Sequence, residues 1–188
     1  LKRIFDLIFS AIALLLLSPL AAVISLIILV SDGRPVVFKQ DRVGKDNCLF
    51  KVRKFRTMKT GTRNVAKKEL SEYGSCVTKF GRFLRKTSLD ELPQLINIFE
   101  GTMSFVGPRP LIPEEDDIRN LRLKYGVYSV PPGVTGWAQV LGRDLISDEE
   151  KAEYDREYVM RRTFLFDIKI ILMTFAVVIT GKNMSDRD

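Results

Sequence analysis

The sequence predicts an α+β fold that is mostly helical. It has an N-terminal re-entrant membrane helix-break-helix, amphipathic interfacial helices, and a small β element around the candidate active site. Three observations carry this. Residues 7–30, LIFSAIALLLLSPLAAVISLIILV, hold no charge. Residues 48–58, CLFKVRKFRTM, alternate apolar and basic side chains at the two-residue period of a strand. From Thr78 onward, apolar residues recur at helical spacing, punctuated by Gly and Pro clusters. The only sharp change in composition falls near residue 31. It divides the chain into a membrane segment, 1–31, and a larger domain, 32–188.

The uncharged run spans 24 residues, about 36 Å as a helix against a hydrocarbon core of about 30 Å. It is too long for a cleaved signal peptide, and no small-x-small cleavage site follows it. Two readings remain. One is a single kinked span, which membranes tolerate. The other is a hairpin that bends at Ser18-Pro19 and returns to the face it entered. Pro19 removes one helix hydrogen bond and pushes Ser18 away from helical angles. The Ser18 hydroxyl is then available to a carbonyl that the proline frees. Lys2 and Arg3 precede the run, and Arg34, Lys39, Arg42 and Lys45 follow it. Basic flanks favour the cytoplasm, and only the hairpin satisfies both. Asp6 is expected to pair with Lys2 and Arg3. The chain opens at Leu1 rather than Met, so some N-terminal sequence is expected to precede it.

Residues 35–40, PVVFKQ, read as a short extended piece, and residues 41–47 as a turn-rich link. In the strand that follows, Phe50, Val52 and Phe55 are expected on one face, with Lys51, Arg53 and Lys54 elsewhere. Residues 59–75 are polar and read as a mobile loop, with a helical turn near 65–70. A helix resumes near Thr78 with Phe80, Phe83 and Leu84 on one face. It breaks at Thr87-Ser88, and a second helix runs through LDELPQLINIF with a buried stripe of Leu92, Leu95, Ile96 and Phe99. Gly101 ends it. Residues 102–113 hold three prolines and a glycine and form no helix interior. Polar helices are expected at 114–125 and 148–161, with a rigid Trp137 loop between them. Residues 164–180 are apolar, but Asp167 and Lys169 leave too short an uncharged length to span. That predicts an interfacial helix.

Composition narrows the chemistry. The chain of 188 residues has no histidine and two cysteines, Cys48 and Cys76. That excludes a Ser-His-Asp triad, a Cys-His pair, a His-ligated zinc and a disulfide framework. Lys and Arg total 30 against 23 Asp and Glu, a net charge of +7. The basic residues are spread along the chain, and anionic lipid explains them without nucleic acid. Catalysis is left to carboxylates, Arg, Lys, hydroxyls and a hard cation.

Ser88-Leu89-Asp90-Glu91 opens a helix and admits two readings. As a capping box, Ser88 and Glu91 satisfy the helix N-terminus. As a site, the free N–H groups attract phosphate, and an ionised carboxylate serves as nucleophile or Mg²⁺ ligand. Pro93 leaves the Leu89 carbonyl without its usual partner. Arg85, Arg109 and Arg143 stand in or near rigid contexts, and Arg is suited to bidentate phosphate binding. Trp137, the only tryptophan, reads as a core or interface anchor, or as the wall of a base or sugar pocket.

These residues resemble the bacterial sugar transferases, the small monotopic phosphoglycosyl transferases that initiate glycoconjugate assembly. The resemblance runs nearly end to end. It covers Lys2-Arg3-Ile4-Phe5-Asp6, Ser18-Pro19, Lys54-Phe55-Arg56-Thr57-Met58 and Ser88-Leu89-Asp90-Glu91-Leu92-Pro93-Gln94-Leu95. It also covers Met103-Ser104-Phe105-Val106-Gly107-Pro108-Arg109-Pro110 and Pro132-Gly133-Val134-Thr135-Gly136-Trp137-Ala138-Gln139-Val140. One departure is Leu141, where the family commonly has Asn. The resemblance implies a re-entrant helix broken at Ser18-Pro19 and a catalytic domain on the cytoplasmic face of the bacterial inner membrane. It implies transfer of a phosphosugar from a UDP-sugar to undecaprenyl phosphate, with UMP released and Mg²⁺ as cofactor. Asp90 inherits the role of nucleophile, with Glu91 as its catalytic and metal-binding partner. Arg85, Arg109 and Arg143 are expected to hold phosphates, and Trp137 and Gln139 to line the substrate pocket. The chain resembles the minimal catalytic form of the family, or a piece trimmed to it. Neither the sugar nor the oligomeric state, a homodimer among the options, is written in these motifs. The competing expectation is a membrane-anchored scaffold without turnover.

Overall fold

The computed structural model describes residues 1–62, 76–142 and 145–180. It is mostly helical, with two small two-stranded sheets. The first helix, α1 (Lys2–Asp32), is long and apolar enough to cross a membrane. It runs on through Pro19, where the sequence reading expects an interruption. The Leu15 carbonyl, which Pro19 cannot serve, accepts the Ser18 hydroxyl at 2.8 Å.

Both ends of α1 rest on the rest of the chain. Arg3 donates to the carbonyls of Ile98 at 2.6 Å and Phe99 at 2.7 Å. Asp6 is buried and accepts the Phe105 N–H at 3.3 Å. Lys2 pairs with Asp167 at 2.7 Å. The expected pairing of Asp6 with Lys2 and Arg3 is therefore corrected, because each of the three reaches a different element. At the other end, Ile24 and Ile28 are buried with Phe55 and Leu84. Arg56 donates there to the carbonyls of Asp32 and Gly33. Leu15, Leu16 and Leu20, between the two ends, are exposed.

Strand β1 (Val37–Val43) pairs antiparallel with β2 (Leu49–Phe55). A tight turn joins them, with Asp46 and Asn47 at φ 55 and 58°. The pleat sends successive side chains to opposite faces. Lys54 therefore shares the Phe50–Val52 face, and Phe55 takes the other, under α1. This corrects the expected faces of both residues.

Helix α2 (Lys79–Lys86) is capped by the Thr78 hydroxyl, which accepts the Gly81 N–H at 2.9 Å. A Cβ on Gly81 would stand 2.1 Å from the Thr57 carbonyl oxygen, so only glycine lets α2 dock on that segment. The expected break follows, with Ser88 at φ 57°. Helix α3 (Gln94–Glu100) ends at Gly101, φ 91°. Its buried face is Gln94, Asn97 and Ile98, while Ile96 and Phe99 are exposed, which corrects the expected stripe. Asn97 sets this rotation. Its side chain accepts the Arg53 N–H at 3.1 Å and donates to the Lys51 carbonyl at 2.9 Å, so the polar side of α3 turns to β2.

Strands β3 (Ser104–Val106) and β4 (Gly133–Thr135) pair in parallel in segments expected to be loop. Helix α4 (Asp116–Lys124) is shorter than expected, and α5 (Trp137–Leu141) is a short helix in place of a loop. Helices α6 (Asp148–Arg161) and α7 (Phe164–Thr180) lie where periodicity puts them. The main core joins β3, α5, α6 and α7 through Val106, Trp137, Val140, Tyr158, Phe166 and Ile170. Asp167 of α7 does not face outward. It accepts the Tyr158 hydroxyl at 2.8 Å as well as Lys2. The loop and helical turn expected within 59–75 lie largely outside the described residues.

Candidate active site

Five segments converge on a shallow cleft. Strand β1 contributes Arg42, and β2 contributes Val52 and Lys54. The turn before α3 contributes Glu91, and the first turn of α3 contributes Gln94. The segment after β3 adds Arg109 and Pro110, and β4 adds Gly133 and Val134. Three cations and one carboxylate thus line the cleft.

The Asp-Glu pair sits on a tight turn, Leu89–Glu91. Ser88 is in the left-handed region and its side chain makes no capping bond. The capping-box reading of Ser88 and Glu91 is therefore overturned; among the described residues, Ser147 with Glu150 on α6 forms a capping box. The Leu89 carbonyl accepts the Leu92 N–H at 3.3 Å, so a tighter turn takes up the group that Pro93 leaves. Asp90 is buried at 8% exposure. Glu91 pairs with Lys54 at 2.7 Å, each side chain about one-fifth exposed (19% and 23%).

Backbone packing between the motifs is close. A Cβ on Gly133 would stand 2.1 Å from the Gly107 nitrogen, and one on Gly136 would stand 2.2 Å from the Gly107 oxygen. These glycines let β3 and β4 touch, and the contact delivers Arg109 and Val134 to the same cleft. Arg42 crosses beneath. Its guanidinium bonds Gln40 Oε1 at 2.6 and 3.1 Å and the Pro110 carbonyl at 3.2 Å. Burial, then the neighbouring Arg109 charge, lowers its pKa to about 10. A cation held in poor solvent beside another cation favours an anion.

The other sequence-predicted residues are dispersed. Arg85 reaches the Thr57 hydroxyl at 2.9 Å, outside the cleft lining. Trp137 lies in the α5–α7 core and not on the cleft; its Nε1 donates to Glu157 at 2.7 Å. Lys169 lies over its ring at 5.5 Å. Gln139 donates to the Val134 carbonyl at 3.0 Å and so braces a cleft residue from behind. Arg143 lies outside the described residues. Ser18 and Pro19 are distant on α1. Sequence reasoning missed Arg42, Lys54 and Gln94 as lining residues. Strand parity places Lys54 with Val52, and Gln94 stands three residues before Asn97 on the helix face that meets β2; both signals were local.

Comparison with known proteins follows the same residues. The profile of the family described as bacterial sugar transferase matches residues 1–181. The chain is 41% identical over 181 residues to UDP-glucose:undecaprenyl-phosphate glucose-1-phosphate transferase of Escherichia coli (strain K12), covering 93% of this chain and 39% of that protein. It is 39% identical over 184 residues to the uncharacterized sugar transferase EpsL of Bacillus subtilis (strain 168), covering 98% of this chain and 90% of that one. It is 37% identical over 193 residues to galactosyl transferase CpsE of Streptococcus agalactiae serotype III (strain NEM316), covering 96% and 42%. The chain therefore spans about two-fifths of the Escherichia and Streptococcus proteins and most of the Bacillus one.

Proposed function

Because the chain belongs to the bacterial sugar transferase family, we propose that it transfers a phosphosugar from a UDP-sugar to undecaprenyl phosphate and releases UMP. The observation that carries this reading is a cleft lined by Arg42, Lys54, Arg109 and Glu91, next in sequence to the buried Asp90, in a chain that also presents a long exposed apolar helix. Two phosphates bring the negative charge that three cations suit. Asp90 attacks the sugar-bearing phosphorus, the bond to UMP breaks, and UMP carries away the electron pair. The lipid phosphate oxygen then attacks the aspartyl phosphosugar and returns the free Asp90 carboxylate. Arg85 and Arg143 are assigned to the phosphates as well. Gln139 and Trp137 support the pocket from behind.

Mg²⁺ binds through one or two carboxylates together with substrate phosphates. Asp90 and Glu91 offer that donor set, although no group of three or more His, Cys, Asp or Glu is gathered for a metal among the described residues. Bound there, Mg²⁺ supplies charge neutralisation to the diphosphate. Lys54, paired with Glu91, keeps that carboxylate oriented at the rim.

We further read α1 as the re-entrant membrane segment, residues 1–31, with residues 32–188 forming the catalytic domain at the cytoplasmic face of the bacterial inner membrane. The anchor points support a bend. Residues 3 and 28 lie about 37 Å apart on a straight helix at ~1.5 Å per residue. Their partners do not: Arg3 holds Ile98, and Ile28 lies in the cluster that Leu92 joins. Six helical residues from Leu92 to Ile98 cover only about 9 Å.

The test is UMP release from a panel of UDP-sugars with the protein in nanodiscs, with and without undecaprenyl phosphate. Lipid-dependent turnover that disappears in Asp90→Asn is expected, with a single-turnover UMP burst in the absence of lipid. Turnover without the burst would replace the covalent route by direct lipid attack. UMP release from no donor, by folded protein, would sink the reading. The names of the relatives include both a glucose and a galactose transfer at similar identity, so the panel must span sugars.

A further inference from the structure

The segment Gly107–Pro110 has its backbone bonds filled from four directions. The Gly107 N–H donates to the Thr135 carbonyl at 2.9 Å, and the Pro108 carbonyl accepts the Gly133 N–H at 2.9 Å. The Pro110 carbonyl accepts Arg42 Nη1 at 3.2 Å. The fourth bond is of another kind. The Arg109 carbonyl accepts Arg122 Nη1 from α4 at 2.7 Å. The other terminal nitrogen of Arg122 meets Asp155 of α6 at 2.5 Å. Both side chains are almost fully buried, at 3% and 1% exposure.

A buried ion pair is a costly way to hold two helices together. Apolar residues of similar volume often do as well or better, because the desolvation of two charges offsets their attraction. Stability alone does not account for Arg122 and Asp155. What apolar residues cannot supply is a fixed donor to the Arg109 carbonyl. Asp155 holds the planar Arg122 fork in one orientation, and the fork then fixes the backbone from which the Arg109 side chain enters the cleft.

We propose that the buried Arg122–Asp155 pair is a positioning device for the diphosphate of the donor, holding the Arg109 backbone so that the Arg109 guanidinium meets the phosphates. This rests on the cleft being the donor site. Arg122 and Asp155 touch no substrate; they act through Arg109.

The test uses UDP as probe, titrated calorimetrically into the protein in nanodiscs, alongside thermal unfolding and UMP release. The variant Arg122→Met/Asp155→Leu replaces the pair by apolar side chains. It is expected to unfold at or above the wild-type temperature, yet to bind UDP about tenfold more weakly or worse, as loss of a charged hydrogen bond implies. Donor KM should rise more than kcat falls. Arg109→Ala should weaken UDP binding in the wild type and add little in the pair variant, because both changes remove the same contact. Should the apolar pair fail to fold, Arg122→Lys decides: it keeps the charge but not the fork, and the same loss of UDP affinity is expected. Wild-type UDP affinity in a folded pair variant, or full additivity with Arg109→Ala, overturns the positioning role and leaves the donor reading standing. Absence of UDP binding by the wild type removes the donor reading, and the positioning role with it.

Discussion

At the scale of single residues, the cleft turns on charges that are paired across the chain. Lys54 meets Glu91, so Lys54→Ala removes a directly paired cation from a partly buried carboxylate. On the proposed mechanism that change lowers turnover by about tenfold or more, read as UMP release, while the thermal midpoint moves little. Glu157 offers a spectroscopic check on a residue far from the cleft. The Trp137 Nε1–H bond, assisted by Arg161, holds its carboxyl below the usual carboxylate range. Its contribution to stability is complete above the ordinary carboxylate pKa and is lost as pH falls through the lowered value. The emission of the single tryptophan should therefore titrate with a midpoint below the ordinary Glu value of 4.5, and Glu157→Gln should abolish that step. A midpoint at or above 4.5 would contradict the bond.

At the scale of elements, two features depend on missing atoms. Gly133 has no Cβ because one would lie 2.1 Å from the nitrogen of Gly107, the residue after β3. Gly133→Ala must push β4 from β3 and is expected to cost about 1–3 kcal/mol, seen as a lower thermal midpoint. UDP affinity should fall with it, since Arg109 leaves β3 and Val134 belongs to β4. The second feature is Pro19, which has no N–H. Its neighbour Ser18 serves the Leu15 carbonyl instead. If α1 re-enters, single cysteines placed at Leu1 and Asp32, in a background with Cys48 and Cys76 replaced, react with a polar thiol reagent on the cytoplasmic side alone. Labelling of the two from opposite sides would establish a single span.

At the scale of the whole molecule, exposed apolar side chains are concentrated on a few helices, with single ones such as Leu49 and Met160 elsewhere. They crowd α1 and recur on α2 (Phe83), α3 (Ile96 and Phe99) and α7 (Phe164, Leu165, Leu172 and Phe175). So much exposed apolar surface marks contact with something other than water. If that is the bilayer, burial of hydrocarbon rather than charge dominates the attachment. The protein is then expected to stay with membranes washed in 1 M salt (an ionic strength with a Debye length of about 3 Å). Release by salt would assign the attachment to the basic residues instead.

Much of this protein is local in origin, and that part was legible in the sequence. Helices α6 and α7 lie at the bounds read from a charged and an apolar stretch of sequence. Strand β2 follows from alternation, the break at Ser88 from the interrupted helical spacing, and the stop at Gly101 from a residue that tolerates a positive φ. The Asp90-Glu91 pair and Arg109 stood out because short motifs carry them. Other features rest on contacts between distant residues. Trp137 lies in the core because Phe166 and Tyr158 arrive from α7 and α6. Asp6 faces Phe105 across 99 residues, and Arg42 reaches Pro110 across 68. Exposed Ile96 and Phe99 show the same limit from the other side, since the apolar stripe of a helix is visible in sequence but what it faces is not. Periodicity is fixed by neighbours along the chain, so the sequence by itself determined most of the helices, strand β2 and the candidate Asp-Glu pair, but not β3, β4 or α5. Which cations line the cleft with Glu91, and how Arg109 is held, only the tertiary structure decided, because packing between distant segments leaves no local trace.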